Sequence, residues 1–140
     1  MKTIEQIINF PEDLISMDCV DNKITELDNL PASLIELNCS KNRITALNNL
    51  PTKLSKLSCC YNKLTYIDNL PESIEFLNCS GNDLISLDNL PLKLKILCCT
   101  NCNLQSLNNL PKYLAKLDCE KNKFDTISNL PNSIEYYKII

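Results

Sequence analysis

The stretch Pro31-Ala32-Ser33-Leu34-Ile35-Glu36-Leu37-Asn38-Cys39-Ser40-Lys41-Asn42-Arg43-Ile44-Thr45-Ala46-Leu47-Asn48-Asn49-Leu50 is followed from Pro51 by another on the same plan. Prolines stand at 11, 31, 51, 71, 91, 111 and 131 of 140 residues, so the chain reads as units of 20. With each proline as place 1, places 4, 7, 14, 17 and 20 are apolar, as in Leu34, Leu37, Ile44, Leu47 and Leu50. Place 9 is Cys19, Cys39, Cys59, Cys79, Cys99 and Cys119, then Ile139, and place 12 is Asn22, Asn42, Asn62, Asn82, Cys102 and Asn122.

Places 7 and 9 are apolar and two apart with variable residues on either side, which is the alternation of a strand with one face in and one out. Each unit therefore contributes one short strand, and seven in one direction stack at about 4.8 Å per step into a parallel sheet roughly 30 Å long. The dozen or so residues left in each unit are too few for a full helix and two turns, so the return side is expected to be extended or one turn of 3-10 helix. At place 12 an amide can serve both backbone donors and acceptors, and stacked asparagines form a ladder. Asparagine at place 19, before Leu-Pro or Phe-Pro, is expected to bond its local backbone at the corner. The reading is one domain over 1–140, with a half-unit at 1–10, six full units over 11–130 and a truncated last unit at 131–140.

Written together, places 4 to 14 give L-x-x-L-x-C-x-x-N-x-L, and the chain resembles the leucine-rich repeat family over essentially its whole length. The Asn-Leu-Pro-x-Ser-Leu signature, seen at 69–74 and 129–134 with isoleucine for the last leucine, is similar to the short repeats of bacterial effector proteins. The place 9 cysteine and the richness in asparagine, lysine and isoleucine look like the repeat proteins of giant DNA viruses of amoebae. The resemblance implies an α/β-type repeat solenoid, mostly parallel β, curved as a right-handed superhelix and binding protein ligands on its concave strand face. It implies no ligase activity, since the 140 residues leave no room for the extra domain that one effector group carries.

Composition narrows the function. With no histidine, Ser/His/Asp and Cys/His catalysis and histidine-bearing metal sites are excluded, and the acidic residues are scattered over loop places with no shared pocket, so the chain reads as no enzyme and needs no cofactor. A net charge of −3 and a pI near 4.9 argue against nucleic acid or an anionic membrane as partner. Glu5 and Gln6 interrupt the first apolar run, which therefore does not read as a signal peptide, and nine cysteines suit a reducing compartment. Cytoplasm, including that of a host, is the expected location. Cys99-Thr100-Asn101-Cys102 has C-x-x-C spacing but is accounted for by the place 9 and place 12 columns.

The outward face is spelled by places 6, 8 and 10. Its centre is apolar: Phe76 and Ile96 at place 6, with Cys98 and Asn78 at place 8 and Lys56 and Lys116 on either side. Exposed apolar groups inside a polar rim mark an interaction site for a protein partner. The alternative reading is self-association: Tyr136, Tyr137, Lys138, Ile139 and Ile140 form a last strand whose free edge would pair with a second copy as a homodimer.

Overall fold

The computed structural model describes residues 10–124 and 126–139. Seven three-residue strands run in chain order: β1 (Ser16–Asp18), β2 (Glu36–Asn38), β3 (Lys56–Ser58), β4 (Phe76–Asn78), β5 (Ile96–Cys98), β6 (Lys116–Asp118) and β7 (Tyr136–Lys138). They form one parallel sheet in the order β1-β2-β3-β4-β5-β6-β7, and every pair is in register at a step of 20, as with Leu57 beside Leu77 and Leu77 beside Leu97. The return segments are extended chain and turns, with no α- or 3-10 helix among the described residues. The half-unit before Phe10, with Ile4 and Ile7, lies outside the described residues, as does Ile140.

One core runs the length of the stack. Places 4, 7, 9 and 14 are sealed in the middle units, where Leu54, Leu57, Cys59, Leu64, Ile74, Leu77, Cys79 and Leu84 have no exposed surface. Place 7 opens at the ends, with Met17 half-buried and Tyr137 exposed. Backbone bonds tie each unit to the next: the Cys39, Cys59, Cys79 and Cys99 amides each donate at 2.8 Å to the place 8 carbonyl of the following strand. The cysteines fit because a small thiol packs like a hydrophobe, and in Cys39, Cys59, Cys79 and Cys119 Sγ also donates weakly to that same carbonyl, as Cys59 does to Asn78 at 3.5 Å.

The asparagine column is a ladder. Asn62 Nδ2 donates to the Cys39 and Cys59 carbonyls, both at 3.0 Å, and its Oδ1 accepts the Ile44 amide at 3.0 Å. Asn42, Asn82 and Asn122 repeat the pattern. Cys102 replaces half of it. Its Sγ donates to the Cys79 carbonyl at 3.3 Å, but a thiol is a weak acceptor for the Leu84 amide that an asparagine would serve. Cys102→Asn is therefore expected to raise stability by about 1 kcal/mol, read as a Tm gain of about 2–4 °C, and a lower Tm would contradict this account.

The place 19 asparagines have a different role from the expected side-chain bond at the corner. Asn29, Asn49, Asn69, Asn89, Asn109 and Asn129 all take left-handed backbone, with φ from 54° to 65°. Asparagine is among the few side chains that tolerate this conformation at low cost, and it reverses the chain just before proline forces extended geometry on place 20. The proline carbonyl then accepts the place 4 amide, as Pro51 does from Leu54 at 3.0 Å, closing a turn into the next strand. Serine at place 3 pins that turn to the preceding unit: Ser73 Oγ donates to the Leu54 carbonyl at 2.6 Å.

Candidate functional site

With place 7 committed to the core, places 6 and 8 of each strand necessarily project from the outer face of the sheet. Strand register sets Phe76 directly beside Ile96 and Asn78 beside Cys98, so β4 and β5 present a contiguous apolar and amide patch. All four are half-buried by their neighbours and flush with the sheet. Lys56 on β3 and Lys116 on β6 are exposed on either side. They differ electrostatically: Lys56 Nζ pairs with Glu36, whereas Lys116 has no ion pair among the described residues. The structure thus brings together all six residues of the expected patch.

A cleft of about 380 Å³ opens next to this patch, over places 8 to 11. Tyr61 and Lys121 bound it, and Asn78, Ser80, Thr100 and Asn101 line it between them. Its shape has a simple cause. Place 11 holds Lys41, Tyr61 and Lys121 in other units but Gly81 in the fourth. The Tyr61 ring lies over that glycine, where an added Cβ would come within 2.6 Å of ring carbon Cδ1. Tyr61 itself has φ 54°, uncommon for a bulky residue, and is 59% exposed. Of the cleft residues only Asn78 was expected at a binding site. The usable signal was the chain's single glycine, standing in a column that otherwise carries side chains.

Cys98 and Cys60 are the two half-buried thiols on this face, while Cys19, Cys39, Cys59, Cys79, Cys99, Cys102 and Cys119 are buried. Burial pushes the Cys19 thiol up to about 11 and Cys119 to about 12, with Asp18 and Asp118 respectively adding to the effect. Cys59 and Cys99 are likewise raised, by burial first. Cys98 is raised by burial and then by Asp118. Brief native alkylation is expected to modify Cys60 and Cys98 before Cys59 or Cys79 by on the order of a hundredfold, since the buried thiols react only through opening. Mass mapping that finds Cys59 or Cys79 modified first would overturn this order. The raised thiols also set a pH dependence: their contribution is complete below the unfolded pKa and is lost as pH rises through the folded one. Urea midpoints are therefore expected to fall above roughly pH 9, where unfolded cysteines ionise.

Cys99 and Cys102 sit in the core column and the asparagine column as the repeat requires, and no group of three metal-ligating side chains occurs among the described residues. Among those residues no helix is long and apolar enough to cross a membrane. At β7, Tyr136 and Tyr137 are 47% and 51% exposed, Lys138 is exposed and Ile139 is half-buried. The ammonium of Lys138 is held protonated to higher pH by its hydrogen bond with Tyr136 and by the Glu120 and Asp118 carboxylates.

No protein-family model and no curated protein sequence matches the chain. Solved structures do. YopM of Yersinia pestis, described as a leucine-rich effector protein, superposes with a TM-score of 0.87 at 34% identity over 92% of this chain. The leucine-rich repeat domain of a Shigella effector gives 0.80 at 30% identity over 94%. The functional domain of InlJ from Listeria monocytogenes, described as including a cysteine ladder, gives 0.80 at 31% over 90%. The chain spans only 36%, 61% and 30% of those structures respectively. With its unit of 20, its in-register parallel strands and its cysteine and asparagine columns, the chain is a leucine-rich repeat solenoid similar to those of bacterial effectors.

Proposed function

We propose that the chain is a non-enzymatic protein-binding module that holds its partner on the outer face of the sheet, centred on Phe76 and Ile96. The observation that carries the reading is the side-by-side placement of these two apolar residues on β4 and β5, with Cys98 and Asn78 next to them and lysines on both sides. Burying such a flat apolar centre behind a polar rim is how a few residues supply most of an interface's energy. The fold shared with effector proteins supports a protein as the partner, encountered in cytoplasm, that of a host included. Capture from cytosol with the wild type and with Phe76→Ala/Ile96→Ala tests it. A specific partner is expected to be retained by the wild type and reduced at least about tenfold by the double variant, while equal retention removes the reading.

A second reading, self-association through β7, is favoured by the exposure of Tyr136 and Tyr137. Among the described residues β7 pairs on one side only, so two copies related by a two-fold axis would join antiparallel at Tyr136, Tyr137, Lys138 and Ile139. Light scattering at tens of micromolar separates the readings, since a monomer mass eliminates the dimer.

A further inference from the structure

The hydrogen bonds already made inside the cleft determine what it can still accept. Asn78 Oδ1 takes the Ser80 amide at 3.2 Å, which leaves Asn78 Nδ2 as the free end of that amide. Ser80 Oγ accepts the Thr100 amide at 3.2 Å, which leaves its own proton to be given away. Thr100 gives its hydroxyl proton to Asp118 Oδ1 at 2.7 Å. Lys121 forms no ion pair among the described residues. The unspent groups of the cleft are therefore mainly donors: an amide N–H pair, a hydroxyl proton and an ammonium. Asn101 adds a side-chain amide, uncommitted among the described residues, with two donor protons and one acceptor oxygen, so donors still outnumber acceptors. A site with a surplus of donors is complementary to an acceptor-only group such as an ionised carboxylate.

Charge and size select within the anions. The Asp118 carboxylate is hydrogen-bonded to Thr100 at the cleft, so a second negative charge on the ligand would meet it. A singly charged carboxylate loses less to that repulsion than a phosphate dianion does. The volume of about 380 Å³ is at the small end of ligand sites and is bounded by Tyr61 and Lys121, suiting a side chain rather than a cofactor. Asn78 belongs both to the cleft and to the apolar patch, so a group entering the cleft is continuous with whatever covers Phe76 and Ile96.

We infer that the cleft between Tyr61 and Lys121 receives an aspartate or glutamate side chain of the protein partner, an inference that rests on the outer sheet face being the partner site. The occupant is held by Asn78 Nδ2, the Ser80 hydroxyl and Lys121 Nζ, with the Tyr61 ring, seated on Gly81, as the fixed wall. An acidic residue beside apolar ones is thus the recognition signature expected of the partner.

The test uses the intact ¹⁵N-labelled chain and two neutral-backbone probes of equal shape, N-acetylglutamate N-methylamide and N-acetylglutamine N-methylamide. Saturable shifts are expected at the Asn78 side-chain amide and at the Ser80 and Gly81 backbone amides, with the glutamate probe binding at least about tenfold more tightly than the glutamine one. Lys121→Gln and Ser80→Ala are each expected to weaken the glutamate probe severalfold and to leave the glutamine probe unchanged, in variants whose remaining spectrum is that of the wild type. Equal affinity of the two probes, or shifts confined to other residues, overturns the inference. If partner capture is lost in Phe76→Ala/Ile96→Ala while the probes bind equally, the cleft assignment falls and the face stands. If glutamate is preferred in the cleft while capture is unchanged, the face falls and the carboxylate site stands alone.

Discussion

Asn62→Ala is expected to destabilise the chain by about 2 to 3 kcal/mol, because the side chain is the acceptor for one buried backbone amide and a shared donor to two carbonyls. Removing it leaves the buried Ile44 amide without an acceptor and takes one of two amide donors from each of the Cys39 and Cys59 carbonyls, which keep Asn42 and Asn82 respectively. An orphaned buried amide costs about 1–3 kcal/mol, and the loss of the shared donations across two successive units adds to it. The comparison is Asn48→Ala, the same chemical change at an exposed place 18, expected to shift stability by less than about 0.5 kcal/mol. Thermal melts in one buffer decide it: equal shifts for the two variants would show that the ladder carries no stability.

Leu77→Ala is expected to cost about 4 kcal/mol. Leu77 is fully buried at place 7 of β4, between Leu57 and Leu97 in register on either side, and both of those are fully buried as well. The cost of such a truncation depends on how far the surroundings collapse into the space left behind. Here the strands on both sides are fixed by main-chain bonds from each unit to the next, so the void stays open. Tyr137→Ala, at the same place on β7 but 51% exposed, is expected to cost less than about 1 kcal/mol. Urea unfolding of the pair provides the check, and a loss below about 1.5 kcal/mol at Leu77 would mean that the stack relaxes freely.

Strand positions, core columns and the asparagine ladder were legible in the sequence because the same spacing is written again at every unit, and repetition cancels the ambiguity of a three-residue strand. The adjacency of Phe76 and Ile96 was legible for the same reason, since a fixed register turns a column of letters into a row of neighbours. The left-handed residues were not. Lys41, Tyr61 and Lys121 take φ of 54° to 56° at place 11, and nothing about lysine or tyrosine announces it. Place 19 was misread as a hydrogen-bonding corner because asparagine favours corners for two reasons, and here backbone tolerance is the operative one. The cleft was hidden for a third reason. It arises where small side chains at places 10 and 11 of two units fall between a large one before and a long one after, a contrast between units that a search for sameness passes over.

The uniform register also says how a surface of this kind can change over generations. Since the main-chain bonds between strands recur between the same two places of successive units, a gene that gains or drops 20 codons in frame meets the same partners at the new junction. A change of 19 or 21 codons has no such junction and turns core side chains outward from there on. Length is thus adjustable only in whole steps, while within each step the outward places are free to drift. A lineage can lengthen the scaffold by duplication and then write new recognition on the copy, leaving the older surface in service.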